Sequence, residues 1–120
     1  MPDFSLQETA HRLEARIREH RPLDIPVAWA DELVFPHLDG LSIANLSQSI
    51  MQILGVDVAS PLDDAVLGGW LPQDVDRVVL FLSDGLGYKY LKHLVNSDAN
   101  IRDNIFALSD GRGFVPLTSI

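Results

Sequence analysis

Cysteine is absent from these 120 residues. No disulfide framework can therefore hold the chain together and no thiolate can ligate a metal, so a bound cation would rest on Asp, Glu or His. Basic residues are scarce: nine Lys and Arg stand against seventeen Asp and Glu, for a formal charge of -8 and a pI near 4.7. Attraction to a nucleic-acid backbone comes from Lys and Arg neutralising phosphates, which argues against nucleic acid as a main partner. The opening MPDFSLQETAHRLEARIREH mixes charges of both signs and lacks the continuous apolar stretch of a secretory leader. The chain therefore reads as cytoplasmic, without a membrane span. Internal repeats and low-complexity tracts are missing as well, which excludes a solenoid or a flexible linker. What is present is 47% hydrophobic residues and a mean hydropathy of +0.11, enough apolar material for a modest core.

Helical spacing dominates the first half. Ser5-Leu6-Gln7-Glu8 matches a capping box, in which the serine and glutamate side chains each satisfy an unpaired backbone N–H. Leu6, Ala10, Leu13 and Ile17 follow at i, i+4, i+7 and i+11, Glu14 and Arg18 form an i,i+4 pair, and Arg21-Pro22 stops the run. The mixed charge of the polar face favours ordinary packing over a membrane surface. Residues 22–41 carry Pro22, Pro26, Pro36 and Asp39-Gly40 and read as an irregular connection tethered by Trp29, Leu33 and Phe35. His37 and Asp39 in that loop read as surface polar groups rather than metal ligands.

Ser42 caps a second helix with apolar positions Ile43, Leu46, Ile50, Ile53 and Leu54, and Gly55 stands where a left-handed terminal residue is needed. Residues 56–73, with Pro61, Gly68-Gly69 and Pro72, read as a loop holding one helical turn at Asp63 to Leu67.

The second half turns on RVVLFLSDGLGYKYL, residues 77–91. Val78 to Leu82 is an unbroken run of branched and aromatic side chains, the pattern of a strand buried on both faces of a mostly parallel sheet. Ser83-Asp84-Gly85 interrupts it, and Tyr88 to Val95 resumes at helical spacing with Tyr88, Leu91, Leu94 and Val95 on one side. Ile101, Ile105 and Leu108 mark a further short helix ended by Asp110-Gly111, and Phe114 to Ile120 reads as a second strand. In open α/β sheets ligands gather beyond the carboxyl ends of the strands, so Asp84 is a candidate ligand.

Four chemistries fit an acidic glycine-rich loop to different degrees. A dinucleotide fingerprint would need a third glycine where Tyr90 stands, and a P-loop would need Ser or Thr after Lys89, where again Tyr90 stands. A phospho-accepting receiver fold resembles one that opens with a strand and an acidic pair, whereas this chain opens with a helix. A metal-ligating aspartate remains, beside the plain alternative of an Asp-Gly turn.

The segment RVVLFLSDGLGYKYLKHL, followed by GFVPLTSI, resembles the opening of the alkaline phosphatase superfamily, in its type I phosphodiesterase/nucleotide pyrophosphatase branch. The stretch PHLDGLSIANLSQSIMQILG is similar to the amino-terminal region of bacterial members, so the resemblance covers about residues 36–120 and is most specific over 77–87. It implies that Asp84 ligates one of two divalent metals, usually zinc, in a hydrolase acting on a phosphoester small molecule. It also places the threonine or serine nucleophile and the remaining Asp and His ligands further along than this chain reaches. Thr118 and Ser119 precede the expected nucleophile position and fall inside the second strand.

The expectation is an α/β fold, the start of a mostly parallel sheet flanked by helices, incomplete in itself. Residues 1–75 are a helical amino-terminal region and connection, and 76–120 the first strand-loop-helix portion of a catalytic domain. The chain reads as an inactive amino-terminal fragment of a metal-dependent hydrolase, prone to self-association through unpaired strand edges. The alternative is a non-catalytic α/β interaction module in which the Asp84 loop merely turns.

Overall fold

The computed structural model describes residues 5–21, 24, 26–30, 32–67, 72 and 74–119, and only the backbone of Ser5, Leu6, Gln7, Val27 and Ala30. It is helical. The elements are α1 (Ser5–Glu19), α2 (Val27–Ala30), α3 (Ile43–Ile53), α4 (Asp64–Leu67), α5 (Tyr88–Ser97) and α6 (Ala99–Leu108). No strand or sheet exists among the described residues, and none of the described helices is long and apolar enough to cross a membrane.

The expected α/β sheet is therefore corrected. Val78 to Leu82 lies in neither helix nor strand, and Phe114 to Ser119 makes a single parallel bridge, Thr118 with Ser42, rather than pairing with the apolar run. The error has a physical source: an apolar run says that a segment can be buried as a strand, but a strand exists only where a neighbour accepts its backbone hydrogen bonds. No described residue plays that part for 78–82. Ile120, the last residue of the second expected strand, lies outside the described residues, as do Pro22, Gly68 and Gly69.

Leu13 and Ile17, the apolar stripe expected of α1, are buried with Leu41, and Val66 and Val115 pack against the three. Each such Leu or Ile stabilises the fold by about 1.5–3 kcal/mol relative to exposure. Leu62 and Val95 are buried too, so the core draws on both halves of the chain. The ends of the core are clasped by Thr118, whose N–H donates to the Leu41 carbonyl at 2.8 Å while its own carbonyl accepts from Ile43 N–H at 2.9 Å.

Helix α3 begins and ends as its sequence predicts. Ser42 accepts from the Ala44 N–H as N-cap, and Asn45 completes a capping box. At its far end Gly55 takes φ +87°, with Gly55 N–H donating to Gln52 and Val56 N–H to Met51, a Schellman termination. The expected face is met only in part. Leu46, Ile50 and Ile53 are half-buried and Ile43 and Leu54 exposed, while the fully buried positions are Asn45 and Ser49. Asn45 explains this: its Oδ1 accepts from Gly40 and Ser42 N–H at 3.1 and 3.0 Å, and its Nδ2 donates to Leu38 and Ser60 carbonyls at 2.8 and 3.0 Å. Gln48 and Ser49 accept from Ser60 and Leu62 N–H at 2.8 and 2.7 Å. The helix thus satisfies the backbone of the loops beside it, which apolar side chains could not do.

Pro26 accepts from Trp29 N–H to start the short α2, inside the stretch expected to be irregular. Trp29 is 65% exposed and Leu33 is exposed, so neither tethers that segment; half-buried Phe35 lies under the Arg21 guanidinium at 5.9 Å.

Candidate functional site

Asp84 stands between the apolar run and α5. Gly85 takes φ +73°, and its N–H donates to Asp84 Oδ1 at 2.8 Å, so the carboxylate closes its own turn. Gly87 is the N-cap of α5 and offers no side-chain cap. Asp84 is exposed, and no group of three or more His, Cys, Asp or Glu among the described residues could hold a metal ion. One carboxylate supplies one or two of the four or more ligands zinc needs. The described residues do not fit a two-cation centre, and no hydrolytic step follows from them alone.

The other residues weighed from sequence are spread over different tasks. Thr118 is buried; its Oγ1 accepts from His37 N–H at 2.9 Å and donates to the Leu41 carbonyl at 3.2 Å, which makes it a clasp. Ser119 and Asp39 are exposed. His37 is half-buried rather than a surface group, its ring tilted against His20 with centroids 4.3 Å apart, and its Nδ1 is buried without a hydrogen-bond partner among the described residues. None of these is brought into a cluster with Asp84.

A constellation that sequence reasoning missed lies where α1 meets α5. Glu14 Oε2 accepts from Lys92 Nζ at 2.8 Å and from Tyr88 Oη at 3.1 Å, while Oε1 accepts from Arg18 Nε at 3.1 Å. Chiefly through the Lys92 hydrogen bond, and against the cost of burial, the Glu14 carboxyl is held down to about 2. Burial first, and then the negative charge of Glu14, push the Tyr88 hydroxyl up to about 12. Tyr88 thus stays a donor, and its ring meets Phe114 edge-on at 5.8 Å. The Glu14–Arg18 half of the cluster was visible at i,i+4; Tyr88 and Lys92 are 74 and 78 residues away and no local pattern announces them.

Beside this cluster His11, Lys92 and Asn96 rim a cleft floored by Val95, Phe106 and Phe114. Its free volume is about 50 Å³, against roughly 150 Å³ for an apolar cavity that takes up benzene. That is room for a water or two, not for a phosphodiester. Lys92 is already engaged by Glu14, and through Glu14, Tyr88 and Lys92 the cluster ties α1 to α5.

Compared with known proteins, the chain matches no family model, no curated protein and no solved structure.

Proposed function

We propose that this chain contributes one metal-ligating carboxylate, Asp84, to a metal-dependent phosphoric-ester hydrolase of the phosphodiesterase/nucleotide pyrophosphatase type. The enzyme would act on a phosphoester small molecule with two divalent ions, zinc by preference, and residues 1–120 alone would be inactive. The observation that carries this reading is the presentation of Asp84: an exposed carboxylate on a positive-φ glycine turn, directly after the apolar run of the resemblance and directly before α5. A carboxylate so placed can accept a cation without a change of fold, provided other ligands converge on it. Those ligands and the nucleophile are expected in polypeptide beyond Ile120.

The gene downstream of codon 120 is the first test, since a threonine- or serine-bearing motif and later Asp/His clusters either follow or do not. In the longer product, Asp84→Asn is expected to lower zinc content and hydrolysis of a nitrophenyl phosphodiester together. Full metal content with full activity would remove Asp84 from the site. Calorimetric titration of residues 1–120 with zinc is expected to show no stoichiometric submicromolar site; a tight site abolished by Asp84→Ala would contradict the need for outside ligands. A second reading, a non-catalytic interaction module, is favoured by the breadth of exposed apolar surface, and a longer product with neither metal nor hydrolysis would promote it.

A further inference from the structure

The most anomalous feature of the surface is Val78 to Leu82. Val79, Phe81 and Leu82 are 74%, 91% and 86% exposed, and Val78 and Leu80 are exposed as well. No backbone hydrogen bond joins these five residues to any described part of the chain, and none of them has a positive φ that would bar an extended conformation. The strip offers apolar surface on the order of 500 Å², at the upper end of what single monomers expose. Edge-to-edge pairing of two such strips buries only part of this surface, less than the roughly 1,000 Å² that a stable interface needs, so the contact is a weak one.

We infer that a second copy of this chain covers the strip by antiparallel pairing of 78–82 about a two-fold axis through Leu80. The sequence is self-complementary in that register. Val79 falls opposite Phe81 of the second copy, a β-branched residue against an aromatic, Val78 opposite Leu82, and Leu80 opposite Leu80, so every apolar residue of the run meets another. The backbone groups on one edge of the strip, those of alternate residues, then pair across the axis. The same register sets Asp76 against Asp84 of the second copy at each end, a like-charge contact that weakens the dimer and identifies it. The contact is isologous and closes at two copies on that edge. This inference concerns residues 1–120 as they stand and does not depend on the hydrolase reading, which is judged by metal content and turnover instead.

Sedimentation velocity from micromolar to millimolar protein is expected to show a weak monomer–dimer equilibrium. Amide exchange in the dimer should gain protection at alternate residues of 78–82. Phe81→Lys and Leu80→Pro, both at exposed positions without native hydrogen bonds, are expected to leave the circular dichroism unchanged and to abolish the dimer. Asp84→Asn should tighten it about fivefold, as two like-charge contacts are relieved, whereas Asp57→Asn, with the same change in net charge elsewhere, should do much less. Four outcomes would overturn the proposal: a monomer at all concentrations, a dimer untouched by Phe81→Lys and Leu80→Pro, growth past two copies, or equal effects of the two Asp→Asn changes.

Discussion

At the scale of single residues the chain's polar chemistry is spent on holding itself together. Glu14 is the clearest case, with three donors on one carboxylate. Its folded value near 2 lies below the 4.5 of an ordinary glutamate. The stability it contributes is therefore present above about pH 4.5, where the unfolded chain is ionised too, and is lost as pH falls toward 2. Asp63, lowered by the Ala65 N–H and then by Arg16, acts with the same sign. Glu14→Gln is expected to cost about 1–2 kcal/mol at pH 7, with the gap to the parent closing in acid; urea melts across that range measure it. Two glycines give a second contrast. Gly40 and Gly55 have φ +101° and +87°, but a Cβ on Gly40 would sit 2.8 Å from Asp63 N, while one on Gly55 meets nothing within 4 Å. Gly55→Ala should cost about 1–2 kcal/mol for the left-handed backbone alone. Gly40→Ala should cost clearly more, and equal midpoints for the two variants would contradict the close approach.

At the scale of elements, helices were legible because their signals are local. The Ser42 cap, the Gly55 stop, the Leu13 and Ile17 stripe and the Asp110-Gly111 ending of α6 can all be read within a few residues of where they act. Strands were not legible, because pairing depends on a partner that the run of 78–82 does not carry with it. Asp84 was singled out by its place after that run, and the turn there is as expected; which described residues would stand near it could not be read locally. The fully buried positions of α3 were missed for a related reason. Hydropathy ranks Asn45 as surface, yet it is 2% exposed because it answers backbone groups of Leu38, Gly40, Ser42 and Ser60. Asn45→Ala leaves several of these buried without partners, and a loss of about 2–4 kcal/mol is expected. Ile43→Ala, at an exposed position of the same helix, should cost well under half as much. Thermal or urea melts of the two variants rank them, and the reverse order would show that the apolar face is the one that packs.

At the scale of the whole molecule the chain is under-covered. Its accessible surface is 8716 Å², where a folded monomer of this mass exposes roughly 6,450 Å², and its radius of gyration is 15.6 Å against roughly 13.6 Å for a compact chain of this length. Exposed apolar residues such as Val79, Phe81, Leu82, Trp29 and Leu108 add to that surface. Hydrogen exchange at low micromolar concentration should show it directly. The amides of Val78 to Leu82 are expected to exchange unprotected, while those of Ile43 and Thr118, paired across the clasp, exchange slowly. Protection of 78–82 in the monomer would mean that the fold covers them after all. The clasp also bears on how the protein is made. Ser42 leaves the ribosome long before Thr118, and at roughly 5–20 residues per second the wait is on the order of 4–15 s. Throughout that interval the Leu41–Ile43 backbone has no partner from Thr118. The order of synthesis thus leaves one side of the core unlatched until nearly all of these residues have emerged.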